Sequence, residues 1–119
     1  MKIVNKTKNT VLAEEVLVAE TLLKRAKGLL GRRDFKPGSA LIIRPCNSIH
    51  TFFMRFHIDV LFVNRRQIVV KAISALVPGR LSPVYFNAAF VIELPTGTIL
   101  STSTSKGDTL LIEETLIIP

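Results

Sequence analysis

The sequence is poor in cysteine and in the aromatic residues that carry a polar group. Its 119 residues include one cysteine, one tyrosine and no tryptophan. The lone cysteine, Cys46, cannot form an intramolecular disulfide, so nothing indicates an oxidising compartment. No apolar segment follows the charged N-terminal residues, and the uncharged apolar runs are far shorter than the ~20 residues that span a bilayer. We therefore expect a cytoplasmic protein without a signal peptide or a membrane span.

The standard catalytic and metal-binding signatures are missing as well. The chain has no phosphate-binding glycine loop, no Gly-x-Ser-x-Gly, no paired Cys-x-x-Cys and no His-Glu-x-x-His. Gly28 and Gly31 are two glycines at positions i and i+3, which is too weak a signal to indicate a nucleotide-binding motif. The sequence therefore predicts no cofactor and no metal, and it assigns no catalytic residue.

Acidic residues are scarce in the middle of the chain. Residues 24–80 contain 12 basic and two acidic residues, and the whole chain has a net charge of +7. Such a basic segment is compatible with an anionic partner such as phosphate, a lipid surface or nucleic acid. The interpretation that we favour is the simpler one, that these charges are scattered over a solvated surface. The aromatic residues typical of single-strand binders are few.

Alternating and short apolar runs predict a mainly β protein in one domain, 1–119. We expect strands near 3–5, 10–18, 40–43, 49–56, 59–63, 68–74, 89–94 and 109–116, separated by turn-forming residues. Repeated helices, which a doubly wound fold requires, are absent from the pattern. The predicted architecture is an antiparallel β-sandwich or a distorted barrel with one amphipathic helix near the N-terminus.

The apolar period changes to that of a helix only once. Leu22, Leu23, Ala26 and Leu30 recur on one helical face, which predicts a helix near 22–30 that buries them. Thr21 is the expected N-cap and Gly31 the expected C-terminal stop.

One segment, 46–59, concentrates the reactive side-chain types. It holds the only cysteine, both histidines and one of the two acids of the basic middle. A thiol needs a nearby base and an orienting group to act as a nucleophile, which makes Cys46, His50 and Asp59 a candidate set. In one extended strand Cys46 and His50 would lie about 13 Å apart at ~3.3 Å per residue, so the chain would have to fold back at residues 45–48.

Structural roles explain the same residues equally well. An unpaired cysteine is commonly a small buried hydrophobe, and His50 commonly satisfies a hydrogen bond in a core. Met54 and the neighbouring phenylalanines are expected in the core, and Arg55 with Asp59 can form a structural ion pair. The candidate binding surface combines the end of the helix with this segment: Gly31, Arg32, Cys46, Asn47, Ser48, His50, Met54, Arg55 and Asp59.

Five motifs in order resemble the prokaryotic family known as domain of unknown function 192. They lie at 25–32 (RAKGLLGR), 46–56 (CNSIHTFFMRF), 58–63 (IDVLFV), 91–97 (VIELPxG, where x is any residue) and 107–108 (GD). The resemblance extends from about residue 11 to about residue 112. It implies a small, mostly β protein with no established activity, and it supplies no catalytic assignment. Many members carry a leading signal or membrane anchor, which we do not expect here.

Three functions are compatible with these observations. The leading hypothesis is a non-enzymatic binding or accessory module, because no catalytic signature is present. The second is a small enzyme that uses Cys46 or His50. The third is a weak anion or nucleic-acid binder that uses the basic middle of the chain. The sequence does not identify the partner, although an anionic ligand and a protein partner are both compatible with it, and neither the substrate nor the oligomeric state follows from the sequence.

Overall fold

The computed structural model describes residues 1–113. Within these residues the chain forms eight strands and two short helices. In chain order they are β1 (Lys2–Asn5), β2 (Thr10–Ala13), β3 (Glu15–Ala19), α1 (Leu22–Lys27), β4 (Ser39–Ile43), β5 (Ile58–Val63), β6 (Val69–Leu76), β7 (Phe90–Pro95), α2 (Thr98–Ser101) and β8 (Leu110–Glu113). The protein is mainly β, as the sequence predicts. Neither described helix is long and apolar enough to cross a membrane.

The strands form two sheets. The small sheet has the order β2-β1-β8, and all its pairs are antiparallel. The large sheet has the order β3-β4-β7-β5-β6, and only β3 and β4 within it run parallel. Neither sheet closes on itself among the described residues. Of the two predicted architectures, the protein therefore adopts the open arrangement of two sheets and not a barrel.

The first core lies between the two sheets. Ile3 and Leu110 of the small sheet meet Ile42, Leu61 and Ile92 of the large sheet in one buried cluster. The predicted alternation accounts for this packing, because every second residue of β5 and β7 faces the small sheet.

The opposite face of the large sheet carries a second core. Its members include Ile43 of β4, Val60 of β5 and Val91 of β7, all less than one tenth exposed. Leu29, Ile49 and Met54 pack on this face from the segments that follow α1 and β4. Because both faces are covered, β5 and β7 are buried along their whole lengths.

The helix begins where the sequence predicts and ends earlier. Thr21 is the N-cap, and its Oγ1 accepts a hydrogen bond from the Lys24 N–H at 3.1 Å. The helix ends at Lys27 because Gly28 adopts a φ of 48° and its N–H donates to the Lys24 carbonyl. Gly28, and not Gly31, is therefore the C-terminal stop.

The predicted buried face of the helix is wrong. Leu22 and Leu23 are 79% and 80% exposed, Ala26 is exposed and Leu30 is only half-buried. The residue that enters the core is Leu29, just after the helix. A cavity separates α1 from the large sheet, so Leu22 and Ala26 border open space instead of packing against strands.

Two predicted strands also require correction. Residues 49–56 form no strand, and their one sheet-like contact is the isolated bridge between His50 and Leu81. The apolar residues of this loop therefore do not alternate: Met54 is buried, but Phe52 and Phe53 are exposed. The predicted strand 10–18 is two strands, β2 and β3, that belong to different sheets. Residues 114–116 of the last predicted strand lie outside the described residues.

Candidate ligand site

Glu93 is an acidic residue in the interior of the large sheet. It lies on the central strand β7, between Leu41 of β4 and Val60 of β5 in the sheet register. Its side chain points to the same face as Val91, into the second core, and the residue is 3% exposed. Within residues 1–113, its Oε2 has no hydrogen-bond partner.

Burial changes the protonation of this carboxyl group. Removal from water penalises the charged form and raises the pKa of Glu93 to about 8. Apolar neighbours across the sheet supply no compensating charge. At neutral pH Glu93 is therefore mostly a carboxylic acid, which offers one O–H donor as well as acceptor oxygens.

Glu93 lines a cavity of about 260 Å³ between α1 and the large sheet, which we call the Glu93 pocket. Its walls are mainly apolar, and the lining includes the basic residues Arg25 and Lys27. The lining residues are Leu22, Arg25, Ala26, Lys27, Gly28, Leu29, Leu30, Ile43, Cys46, Ser48, Ile49, His50, Met54 and Glu93. An apolar cavity with a few polar groups is typical of small-molecule sites.

Cys46 lines the same pocket as a protonated thiol. Its Sγ donates to the Ser48 carbonyl at 3.1 Å, and the side chain is half-buried. Burial raises the pKa of Cys46 and Glu93 adds to that effect, whereas the backbone of Ser48 and the charge of Arg25 oppose it. The turn at residues 45–48 does fold the chain back, but the sulfur is not activated as a thiolate.

Arg25 connects the Glu93 pocket to a second cavity. Its Nη1 donates to the Pro45 carbonyl at 3.0 Å, whereas its buried Nε has no partner in the described part of the chain. The second cavity, which we call the arginine cleft, has a volume of about 930 Å³. It is lined by Arg25, Pro45, Cys46, Asn47, Ser48, Asn64, Arg65, Arg66, Phe86, Asn87, Ala88 and Ala89.

His50 lies at the Glu93 pocket without acting on Cys46. Its ring is exposed and stacks on Phe52 with the ring centroids 5.3 Å apart. No hydrogen bond joins it to Cys46 in residues 1–113. The Ser48 hydroxyl donates to the Ser82 carbonyl at 3.1 Å, and this bond joins two loops beside the pocket.

Asp59 does not join this group. It lies on the first-core face of the large sheet, where its Oδ1 accepts from the Ala75 N–H at 2.9 Å and its Oδ2 from the Ile99 N–H at 2.8 Å. Both bonds are structural: one fixes the irregular end of β6 and the other the first turn of α2. Arg55 is exposed and forms no ion pair with Asp59 among the described residues.

The remaining candidates lie apart. Gly31 and Arg32 line a different depression, beside Leu17 and Lys24. Of the candidate surface, the Glu93 pocket thus brings together Cys46, Ser48, His50 and Met54, while Asn47 lines the arginine cleft.

Sequence reasoning missed the two most informative residues, Glu93 and Arg25. A signal for Glu93 is present in the sequence, because it interrupts the apolar run Val91-Ile92-Glu93-Leu94 of a strand buried on both faces. Arg25 has no such signal, since its inward position depends on where the short helix lies over the sheet.

Fold and site together define a small two-sheet β protein with an apolar pocket over a buried acid. The chain belongs to the family DUF192, described as "Uncharacterized ACR", whose model matches residues 3–112. This confirms the resemblance seen in the five sequence motifs.

Two archaeal relatives and one solved structure illustrate the similarity. The chain is 38% identical to the UPF0127 protein PH1112 of Pyrococcus horikoshii over 89% of this chain and 94% of that protein. It is 36% identical to the UPF0127 protein PF1050 of Pyrococcus furiosus over 89% of this chain and 93% of that one. A protein of unknown function from Novosphingobium aromaticivorans superposes with a TM-score of 0.83 at 20% identity, covering 94% of this chain and 84% of that one. The last likeness concerns the fold alone.

Proposed function

We propose that this protein is a non-enzymatic binding module that holds a small, uncharged ligand in the Glu93 pocket. The observation that carries the proposal is the buried carboxyl group of Glu93, which faces the pocket and leaves Oε2 without a partner. An unsatisfied buried polar group costs about 1–3 kcal/mol, and a ligand that pairs with it recovers part of that free energy.

The protonation state of Glu93 indicates the chemistry of the ligand. A neutral carboxylic acid donates through its O–H and accepts through its carbonyl oxygen. A cyclic amide offers the complementary acceptor and donor side by side, so two parallel hydrogen bonds can form. A cationic amine fits less well, because Arg25 and Lys27 line the same pocket and repel it.

Size and wall composition agree with such a ligand. The cavity of about 260 Å³ lies near the lower end of the range for ligand pockets. Leu29, Ile43, Ile49 and Met54 offer apolar surface on the sides. A compact ring with one polar edge would bury its apolar atoms against these side chains and direct its polar edge towards Glu93.

The alternative of a small enzyme has less support. Cys46 is a thiol whose pKa is raised by burial, and its hydrogen goes to a backbone carbonyl. His50 stacks on Phe52 and does not contact the sulfur, while Asp59 lies on the other face of the sheet.

The proposal includes a reducing compartment such as the cytoplasm, in keeping with a single half-buried cysteine.

Titration of the isotopically labelled protein with 2-pyrrolidinone tests the proposal. We expect saturable amide shifts in the strand residues beside Glu93, at millimolar affinity. Cyclopentanone, which lacks the N–H, and pyrrolidine, which is cationic, should bind more weakly. Glu93→Gln keeps a donor and an acceptor and should retain binding, whereas Glu93→Leu should abolish it. Shifts that do not saturate, or that survive Glu93→Leu, would refute the proposal.

A further inference from the structure

We propose that the arginine cleft binds a nucleotide unit, with its phosphate on Arg65 and Arg66 and its base stacked on Phe86. The three side chains line one cavity that is separate from the Glu93 pocket, although Arg25, Cys46 and Ser48 contribute to both. The inference goes beyond the proposed function and does not depend on a ligand at Glu93.

The charge of the cleft favours an anion. Among the residues that the structure describes, three arginines line it and no acidic residue does. In residues 1–113 the two ion pairs join Lys8 to Asp108 and Arg44 to Glu20, so none of the three cleft arginines is neutralised by a carboxylate. Guanidinium groups bind phosphate oxygens in pairs of parallel hydrogen bonds, which suits this site to a phosphate group.

The backbone that carries Arg65 and Arg66 is held in place. Both residues lie in the turn between β5 and β6, which begins at Asn64. The Asn64 side-chain oxygen accepts from the N–H groups of Arg66 at 2.9 Å and Ile68 at 3.0 Å. Because these bonds fix the turn, the backbone from which the two arginine side chains extend has a defined position at the cleft.

Phe86 supplies the second recognition element. It is 88% exposed although it is a large apolar ring, and it lines the same cleft as the arginines. Its segment is anchored by hydrogen bonds from the Tyr85 N–H to the Asn47 carbonyl at 2.9 Å and from the Ala88 N–H to the Tyr85 carbonyl at 2.8 Å. An anchored, exposed ring can stack on any of the bases.

The amide side chains at the arginine cleft and the volume of the cleft also suit a nucleotide. Asn47 and Asn87 are exposed at the cleft, and their side chains form no hydrogen bond within the described residues. Each amide offers a donor and an acceptor to the edge of a base. The volume of about 930 Å³ lies in the upper range of ligand cavities and accommodates a base, a sugar and a phosphate together.

The test is a titration of the full chain with adenosine monophosphate, adenosine and inorganic phosphate, followed by amide shifts and by calorimetry. We expect adenosine monophosphate to bind more tightly than either part. Arg65→Ala with Arg66→Ala should weaken it about tenfold or more. Phe86→Ala should weaken adenosine monophosphate about tenfold and leave inorganic phosphate unchanged.

The matched control is Arg32→Ala with Arg33→Ala, which removes the same charge from two adjacent exposed arginines elsewhere. This control should leave the affinity for adenosine monophosphate unchanged. Equal weakening by both double variants would show only a general electrostatic attraction and overturn the proposal, as would no binding at all.

A short single-stranded oligonucleotide distinguishes a nucleotide unit within a strand from a free nucleotide. If its binding is tighter, falls steeply with salt and is lost in the Arg65 and Arg66 variant, the unit belongs to a strand; if it binds no better than the mononucleotide, the unit is free.

Discussion

Glu93 and Val60 lie directly opposite each other in the large sheet, so both side chains point into the second core. Asp59, one residue before Val60, therefore points to the other face. There it accepts two backbone hydrogen bonds, whereas Glu93 leaves Oε2 unpaired in a cavity. Two buried acids on neighbouring strands thus differ: one fixes the fold, and the other is the group that we propose for ligand binding.

The pH dependence of stability should reveal Glu93. Its pKa is raised from about 4.5 to about 8 by burial. Between these values the folded protein keeps a proton that the unfolded chain releases, so the free energy of unfolding should fall by about 1.4 kcal/mol per pH unit. Urea unfolding at pH 5.5, 6.5 and 7.5 measures this fall. Glu93→Gln should remove it, and parallel profiles for the two proteins would contradict the assignment.

Asp59 should matter for stability and not for ligand binding. Asp59→Ala leaves the N–H groups of Ala75 and Ile99 without their acceptor. We expect a loss of about 2–5 kcal/mol, measured by urea unfolding. Asp34→Ala removes an exposed acid of equal charge and should change stability by less than about 0.5 kcal/mol. A loss of similar size in both variants would show that charge, and not these two bonds, is responsible.

Cys46 should react slowly with a thiol reagent in the native protein. Burial raises its pKa, so the thiolate is scarce at neutral pH. We expect the rate of alkylation by iodoacetamide to rise continuously from pH 6 to pH 9 and to stay below that of the urea-unfolded chain. Fast labelling at pH 6 would instead indicate an activated nucleophile and revive the enzyme hypothesis.

Leu23 and Leu29 form a matched pair that tests the position of the helix. Leu23 is 80% exposed and Leu29 is 4% exposed, although both are leucines of one segment. Leu29→Ala should cost about 2–5 kcal/mol. Leu23→Ala should change stability by less than about 0.5 kcal/mol. The reverse order of the two effects in thermal or urea unfolding would restore the face that the sequence pattern favours.

The strands were predictable from the sequence because burial on a sheet leaves a regular pattern. The runs in β5 and β7 are apolar apart from Asp59 and Glu93, and the observed strands lie within a few residues of the expected ones. The helix start was predictable from Thr21, a local cap. The buried face of the helix was not predictable from the sequence. Leu22 and Ala26 are apolar but border a cavity, which exists because of the distance between α1 and the sheet.

The candidate site was predictable only in part, since its members come from distant segments. The turn at residues 45–48 brings Cys46 and Ser48 to the pocket, but Asp59, which the cluster of reactive residues grouped with Cys46, lies on the other face of the sheet. Glu93 reaches the same pocket through strand pairing. The register of β5 against β7 decides that Glu93, and not Asp59, faces the second core and the pocket. Long-range register of this kind cannot be read from the spacing of residues within one segment.

The most direct test is a carbon-detected titration of the Glu93 side-chain carboxyl group from pH 4 to pH 10, with and without 2-pyrrolidinone. In the free protein we expect a midpoint at about 8. The amide binds the neutral acid, so it should move the midpoint upwards by linkage. A midpoint near 4.5, or one that does not respond to the amide, would contradict a buried neutral acid as the centre of the ligand site.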